Sequence, residues 1–89
     1  MAAVEIYTRD YCYYCHAAKE LLNRRKISFT EIDITGQPEL RRAMIERANG
    51  RTTVPQIFVG PTHVGGCDDL YALEAAGRLD ALLAEEQSA

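Results

Sequence analysis

The sequence predicts a small α/β domain built on a four-stranded mixed sheet with helices on its faces. Three observations predict this fold class. The chain has 89 residues, which is the size of one domain. Up to residue 34 its pattern alternates strand, helix and strand, as in a parallel βαβ unit. Later, two short apolar runs flank the turn residues 60–62, which favours an antiparallel pair.

The first three elements follow from hydrophobic periodicity. Residues 3–8 alternate apolar and polar side chains around Val4 and Ile6, which is typical of a strand. Within residues 13–25, mainly apolar side chains recur at helical spacing, which predicts a helix. Residues 28–34 are predicted to form a second strand. Because one helix crosses between the two strands, we expect them to be parallel.

The second half of the chain predicts two more strands and three more helices. A helix is expected to begin near Pro38, since proline suits the first helical position, and to end near Gly50. Residues 56–59 and 63–65 predict the antiparallel strands, and a helix is expected from Asp68 to Gly77, followed by a last short one. The apolar stripe of the helix that begins near Pro38 is predicted to be Leu40, Met44, Ile45 and Ala48.

Composition excludes several classes of function. The net charge of −3 argues against nonspecific nucleic-acid binding. No segment approaches the roughly 20 apolar residues of a membrane span, and no signal peptide is visible at the N-terminus. Three cysteines are an odd number, which a secreted disulfide scaffold would not normally have. The lack of a visible signal peptide and the odd cysteine count together predict the reducing cytoplasm.

The segment Cys12-Tyr13-Tyr14-Cys15 is the strongest chemical signal. It follows the first strand and opens the first helix, where the positive end of the helix dipole favours a thiolate at Cys12. Cys15 lies inside the first turn and should be more buried, so Cys12 would attack and Cys15 would resolve. The same spacing could supply half of a zinc site, but no second pair of ligands is visible and Cys67 stands alone.

Three segments, together with the element order, resemble the glutaredoxin family, specifically dithiol glutaredoxins of the bacterial glutaredoxin-3 type. They are Val4–Arg9 leading into Cys12–Cys15, then Thr52–Phe58, and then Gly65–Leu70. The resemblance spans essentially the whole chain and implies one glutaredoxin domain over residues 1–89 with a thioredoxin-like fold. It also implies a glutathione-dependent oxidoreductase that reduces protein disulfides and glutathione mixed disulfides.

The resemblance further implies where glutathione binds. Arg9 would meet the glycine carboxylate, and the bond between Val54 and Pro55 would be cis, which turns the Val54 backbone outward to pair with the tripeptide. Cys67 and Asp68 would bind the γ-glutamyl end. Arg42 is the best second cation, with Arg41 and Arg51 competing. The complete predicted set is Arg9, Tyr14, Arg42, Thr53, Val54, Pro55, Gly66, Cys67 and Asp68, with no metal ligand.

Two alternatives remain open at this point. Tyr13 stands where the commonest dithiol motif has proline, and non-proline members of the family sometimes hold a [2Fe–2S] cluster between two monomers and two glutathiones. The other alternative is a redoxin that thioredoxin reductase reduces and that serves ribonucleotide reductase. That group typically carries a tryptophan-containing C-terminal signature, and this chain has no tryptophan. The main interpretation is a monomer whose partners are glutathione and protein substrates, possible targets including ribonucleotide reductase. We assign Cys67 no catalytic role.

Overall fold

The computed structural model describes residues 3–88, with side chains described as far as residue 85. Within this range one sheet has the strand order β2-β1-β3-β4. Its strands are β1 (Val4–Thr8), β2 (Thr30–Asp33), β3 (Gln56–Val59) and β4 (Thr62–Gly65). The helices of the described range are α1 (Tyr13–Arg24), α2 (Pro38–Arg47), α3 (Cys67–Ala75) and α4 (Leu79–Ser88).

Strand directions confirm the predicted mixed sheet. β1 runs parallel to β2 and antiparallel to β3, and β3 runs antiparallel to β4. The parallel pair is the one joined by α1, because a parallel connection needs a crossover element. The predicted α/β fold class is therefore correct.

Two apolar clusters lie on the two faces of the sheet. Side chains alternate between faces along a strand, so Ile6 and Ile57 point to one side while Tyr7 and Phe58 point to the other. The first pair packs with Leu21 and Leu22 of α1 and with residues of α3 and α4. The second pair packs with α2, and the members of that cluster are Tyr7, Ile34, Met44, Ala48 and Phe58.

Two predicted details are wrong. The second strand is shorter than residues 28–34, since pairing with β1 covers only Thr30–Asp33. Leu40 is 38% exposed and is not part of a buried stripe. Residues 38–43 are all exposed, so only the second half of α2, around Met44, packs on the sheet.

Sheet register brings three chain segments to one end of the molecule. Tyr7, near the end of β1, pairs with Gln56 at the start of β3, and Gly65 at the end of β4 pairs with Ile57. The loop that leads into α1, the segment before β3 and the turn before α3 therefore converge. This is where the sequence places its chemistry.

Candidate active site at the start of two helices

Cys12 occupies the N-cap of α1. Its backbone is extended, with φ −113° and ψ 105°, and its Sγ accepts a hydrogen bond from the Cys15 N–H at 3.1 Å. A helix begins with N–H groups that have no intrahelical partner, so the sulfur occupies a place where negative charge is stabilised. The local backbone thus supplies the environment that the sequence predicts for a thiolate.

Cys12 and Cys15 form a disulfide, and their exposure differs. Cys15 is 2% exposed, whereas Cys12 is half-buried and borders the surface. Cys12 is therefore the more accessible of the two cysteines. This difference supports attack by Cys12 and resolution by Cys15. His16 is exposed, and its Nε2 lies 3.7 Å from the Glu20 carboxylate.

The segment before β3 faces the disulfide. The peptide bond between Val54 and Pro55 is cis, as predicted. The Val54 carbonyl oxygen lies 3.9 Å from Cys12 Sγ. Backbone polar groups are therefore presented next to the reactive sulfur, outside the hydrogen-bond ladder of the sheet.

The start of α3 supplies the third side of the site. The Asp69 carboxylate accepts a hydrogen bond from the Gly66 N–H at 2.9 Å and lies 3.3 Å from Arg51 Nη1. The pKa of Asp69 is lowered, first because of the Gly66 N–H and then because of Arg51, against the opposing effect of burial. Asp69 is thus an ionised cap of this helix.

These segments line a cleft of about 300 Å³, which adjoins Cys12 through Val54. We call it the Val54 cleft. Seven of the nine predicted glutathione-binding residues line it, and Arg51 and Asp69 line it as well. The complete lining is Tyr14, Arg51, Thr53, Val54, Pro55, Gly66, Cys67, Asp68 and Asp69.

The two remaining predicted cations lie elsewhere. Arg9 borders a polar cleft of about 510 Å³ together with Tyr11, Cys12 and Cys15, so it flanks the disulfide on another side. Arg42 is exposed on α2 and is not among the lining residues of either cleft. Its neighbour Arg41 borders a groove that also contains Arg9.

Cys67 is a packed thiol. It is 7% exposed and belongs to the apolar cluster beneath α1 and α3. Burial, and secondly the charge of Asp68, raises the pKa of the Cys67 thiol. A protonated, buried thiol is a poor nucleophile, so its surroundings are opposite to those of Cys12.

The described residues hold neither a metal-binding cluster nor a membrane-spanning helix. Across residues 3–88, no group of three or more histidine, cysteine, aspartate or glutamate side chains is arranged to hold a metal ion. No helix in the same range is long and apolar enough to cross a membrane.

The comparisons with known proteins agree with this site. A family model described as Glutaredoxin matches residues 4–64. The chain belongs to the glutaredoxin family. It is 59% identical to glutaredoxin 3 of Escherichia coli K12 over 83 residues, which cover 93% of this chain and 99% of the relative. This glutaredoxin is therefore a thiol–disulfide oxidoreductase, with the Cys12–Cys15 pair as its redox centre.

Solved structures extend the same conclusion to the fold. A solution structure of a glutaredoxin from Brucella melitensis is 60% identical, with a TM-score of 0.82 over 93% of this chain and 89% of that one. A crystal structure of a buckwheat glutaredoxin in complex with glutathione is 27% identical, with a TM-score of 0.83 over 94% and 78% of the two chains. The thioredoxin-like fold predicted for this glutaredoxin is confirmed.

Sequence reasoning missed two features of the site. Arg51 was only one of three competing cations, yet it is the arginine that lines the Val54 cleft. Gln56 and His63 were assigned no role, although the Gln56 side chain is hydrogen-bonded both to His63 and to Thr53. A glutamine as the first residue of a buried strand was the available signal, since buried amides need partners.

Proposed function

We propose that this glutaredoxin binds glutathione in the Val54 cleft and uses Cys12 to reduce glutathione mixed disulfides and protein disulfides. The single observation that carries the proposal is the position of Cys12 Sγ, 3.9 Å from a backbone carbonyl that lies outside the sheet ladder. A peptide that pairs with Val54 has its own sulfur brought to Cys12. The glutathione complex of the buckwheat relative supports the same ligand class.

The start of α3 suits the γ-glutamyl end of the tripeptide. The first N–H groups of a helix lack intrahelical partners and attract carboxylates. Asp69 takes the N–H of Gly66, which leaves those of Cys67 and Asp68 for a ligand. The exposed Asp68 carboxylate can accept a hydrogen bond from the γ-glutamyl ammonium group.

Positive charge near the cleft matters because glutathione is a net anion and the chain carries −3. We assign the glycine carboxylate to Arg9, which flanks Cys12, with Arg42 as the second cation from α2. Arg51 borders the cleft, but its positive charge is already paired with the Asp69 carboxylate, 3.3 Å from Arg51 Nη1. Tyr14 and Thr53 also line the cleft. A Cβ at Gly66 would lie 3.5 Å from the Pro55 carbonyl oxygen, so the two backbones approach closely there.

The reaction is an exchange of disulfide bonds. The Cys12 thiolate attacks the glutathione sulfur of a mixed disulfide, a Cys12–glutathione bond forms, and the protein thiolate leaves. The thiolate of a second glutathione then attacks that bond, which releases oxidised glutathione and restores Cys12. With a protein disulfide, Cys12 forms a bond to one protein sulfur, and Cys15 then displaces it, leaving the Cys12–Cys15 disulfide for two glutathiones to reduce.

The test is a turnover assay on a glutathione mixed disulfide, with either glutathione or thioredoxin reductase as the electron source. We expect turnover with glutathione only. Arg9→Gln should raise KM for glutathione about threefold to tenfold, as for a charge-assisted contact at the surface. Arg24→Gln is the matched control, since Arg24 is exposed and its ion-pair partner is Glu20 at 3.7 Å. Turnover with thioredoxin reductase alone would favour the redoxin alternative.

Assembly and cellular role belong to the same proposal. We infer a monomer of the cytoplasm that acts on disulfides of proteins such as ribonucleotide reductase. Size-exclusion chromatography with glutathione and iron tests the monomer against the cluster-bridged dimer. A dimer with visible absorbance that Tyr13→Pro abolishes would establish the [2Fe–2S] alternative, in which the Cys12 thiolate and glutathione hold the iron.

A further inference from the structure

Gln56 is a fully buried polar side chain in a strand whose other members are apolar. Its exposure is 0%, and β3 continues with Ile57, Phe58 and Val59. A buried amide is costly unless its hydrogen bonds are made. Gln56 Nε2 donates to the Thr53 carbonyl oxygen at 2.9 Å and lies 3.3 Å from Thr53 Oγ1, while Oε1 lies 2.6 Å from His63 Nε2.

The partners of Gln56 fix the direction of every bond. The Thr53 carbonyl can only accept, so the amide nitrogen must face it and Oε1 must face His63. His63 Nε2 therefore carries a hydrogen and donates it. The imidazole is stacked on the Phe58 ring, with centroids 4.8 Å apart and planes 24° apart, and Arg47 lies on that ring at 4.1 Å. The His63 imidazole that bonds to Gln56 is thus fixed by its stacking on Phe58, and Arg47 packs on the Phe58 ring.

This chain of contacts ends at the Val54 cleft. Thr53 lies in the loop before β3, outside the sheet ladder, and is followed directly by Val54. The Val54 carbonyl is the group that lies 3.9 Å from Cys12 Sγ. The Thr53 carbonyl and the Val54 N–H belong to the same planar peptide group, so fixing the Thr53 carbonyl also orients the Val54 N–H. By contrast, the position of Cys12 is set by α1.

We propose that Gln56 and His63 are positioning residues that hold Thr53 so that the Val54 backbone is presented in the geometry the tripeptide requires. This inference rests on the proposed function of the Val54 cleft. It separates two properties of the enzyme. The bonds through Gln56 govern affinity for glutathione, and the start of α1 governs the reactivity of Cys12.

The test compares Gln56→Met with the wild-type enzyme. Methionine keeps the length and flexibility of the side chain but makes none of these hydrogen bonds. We expect KM for the glutathione mixed disulfide to rise about fivefold to tenfold, as for the loss of one or two hydrogen bonds, with kcat within about twofold. The rate of Cys12 alkylation by iodoacetamide in the reduced protein should not change.

Three further variants distinguish positioning from a general loss of stability. Val59→Ala removes buried volume from the same strand and should lower Tm without changing KM. His63→Phe keeps the stacking and loses the donor, so it should raise KM by a smaller factor than Gln56→Met. His63→Gln restores an N–H donor and should return KM towards the wild-type value. If Gln56→Met does not fold, the two His63 variants carry the test.

The outcomes separate this inference from the proposed function. A wild-type enzyme that neither binds nor uses glutathione would overturn both. A wild-type enzyme that uses glutathione, with KM unchanged in Gln56→Met and His63→Phe, would overturn the positioning role alone. A KM rise in Val59→Ala as large as in Gln56→Met, or slower Cys12 alkylation in Gln56→Met, would also overturn it.

Discussion

Two helix starts border the Val54 cleft, and they stabilise their N–H groups with different acceptors. At α1 the acceptor is Cys12 Sγ, 3.1 Å from the Cys15 N–H. At α3 it is the Asp69 carboxylate, 2.9 Å from the Gly66 N–H. The sulfur is a reagent, so its stabilisation changes whenever it forms a disulfide. The carboxylate never reacts. The comparison shows the same local feature, a side-chain acceptor for a backbone N–H at a helix start, in two roles. At α1 the acceptor takes part in the chemistry, and at α3 it keeps the ligand-binding backbone fixed.

Removing the reactive acceptor should have the largest effect. Cys12→Ser should lower turnover of a glutathione mixed disulfide by more than about a hundredfold, because a hydroxyl does not form the anion that attacks sulfur. Cys15→Ser should keep much of this activity, since Cys15 is needed only to close the disulfide. Both variants are measured with the same mixed disulfide. Equal losses in the two would break the assignment of attack to the α1 N-cap alone.

The adjacent glycines before α3 offer a matched pair. Gly65 has φ +118°, and a Cβ there would meet the Asp69 carboxylate and lie 2.9 Å from Arg51 Nη1. Gly65→Ala should therefore cost about 2 kcal/mol and lower Tm by about 8–16 °C. A Cβ at Gly66 makes only ordinary contacts, 3.5 Å from the Pro55 carbonyl oxygen.

Gly66→Ala should accordingly keep its stability within about 0.5 kcal/mol. Its methyl group would project into the Val54 cleft and should raise KM for glutathione. Thermal denaturation and steady-state kinetics on both variants check this division. Equal Tm values for the two alanine variants would contradict the strained conformation of Gly65.

The charge of Asp69 should give the α3 start a pH dependence. Its folded-state pKa is lowered, first by the Gly66 N–H, so its stabilisation is complete above the unfolded value of about 4 and is lost as pH falls through the lower folded value. Asp69→Asn keeps an oxygen acceptor without the charge. The cost near pH 7 should be about 0.5 kcal/mol, because the carboxylate is half exposed.

Urea unfolding of wild type and Asp69→Asn at several pH values measures this contribution. The difference in unfolding free energy between the two proteins should shrink as pH falls below about 4. A difference that stays constant from neutral to acidic pH would mean that the carboxylate charge does not stabilise α3.

Replacing Tyr13 should have a small effect on stability, comparable in size to that of Asp69→Asn and opposite in sign. Tyr13 is the first residue of α1, and Cys12 before it is already in the extended region that a residue preceding proline prefers. Tyr13→Pro should therefore raise the free energy of unfolding by about 0.4–1 kcal/mol, through reduced freedom of the unfolded chain. Denaturation of the reduced proteins tests this, and a lower Tm would show that the Tyr13 side chain or N–H stabilises the helix start.

The sequence predicts the fold well because its signals are local. Strand alternation, the proline at the start of α2 and the turn between β3 and β4 each act over a few residues, and all of these elements exist in the structure. The motif residues Cys12, Cys15 and Pro55 could be placed because the resemblance covers their segments. Leu40 could not, since whether the first turn of a helix reaches the sheet depends on tertiary packing.

Long side chains and buried networks were harder to predict. Arg41, Arg42 and Arg51 look equivalent in sequence, but only Arg51 lines the Val54 cleft, because the turn before α3 lies beside it. The link from His63 through Gln56 to Thr53 depends on the pairing of β3 with β4, which brings residues 56 and 63 together. No periodicity reports such a contact.

The central claim is that the start of α1 holds reduced Cys12 as a thiolate beside the Val54 cleft. Its most direct test is the pH dependence of Cys12 alkylation in the reduced protein, with mass spectrometry to identify the modified cysteine. We predict that the alkylation rate reaches its plateau by about pH 7. An ordinary cysteine thiol ionises near about pH 8.5, so its rate would still be rising at about pH 7. A rate that continues to rise past about pH 8.5 would contradict the claim.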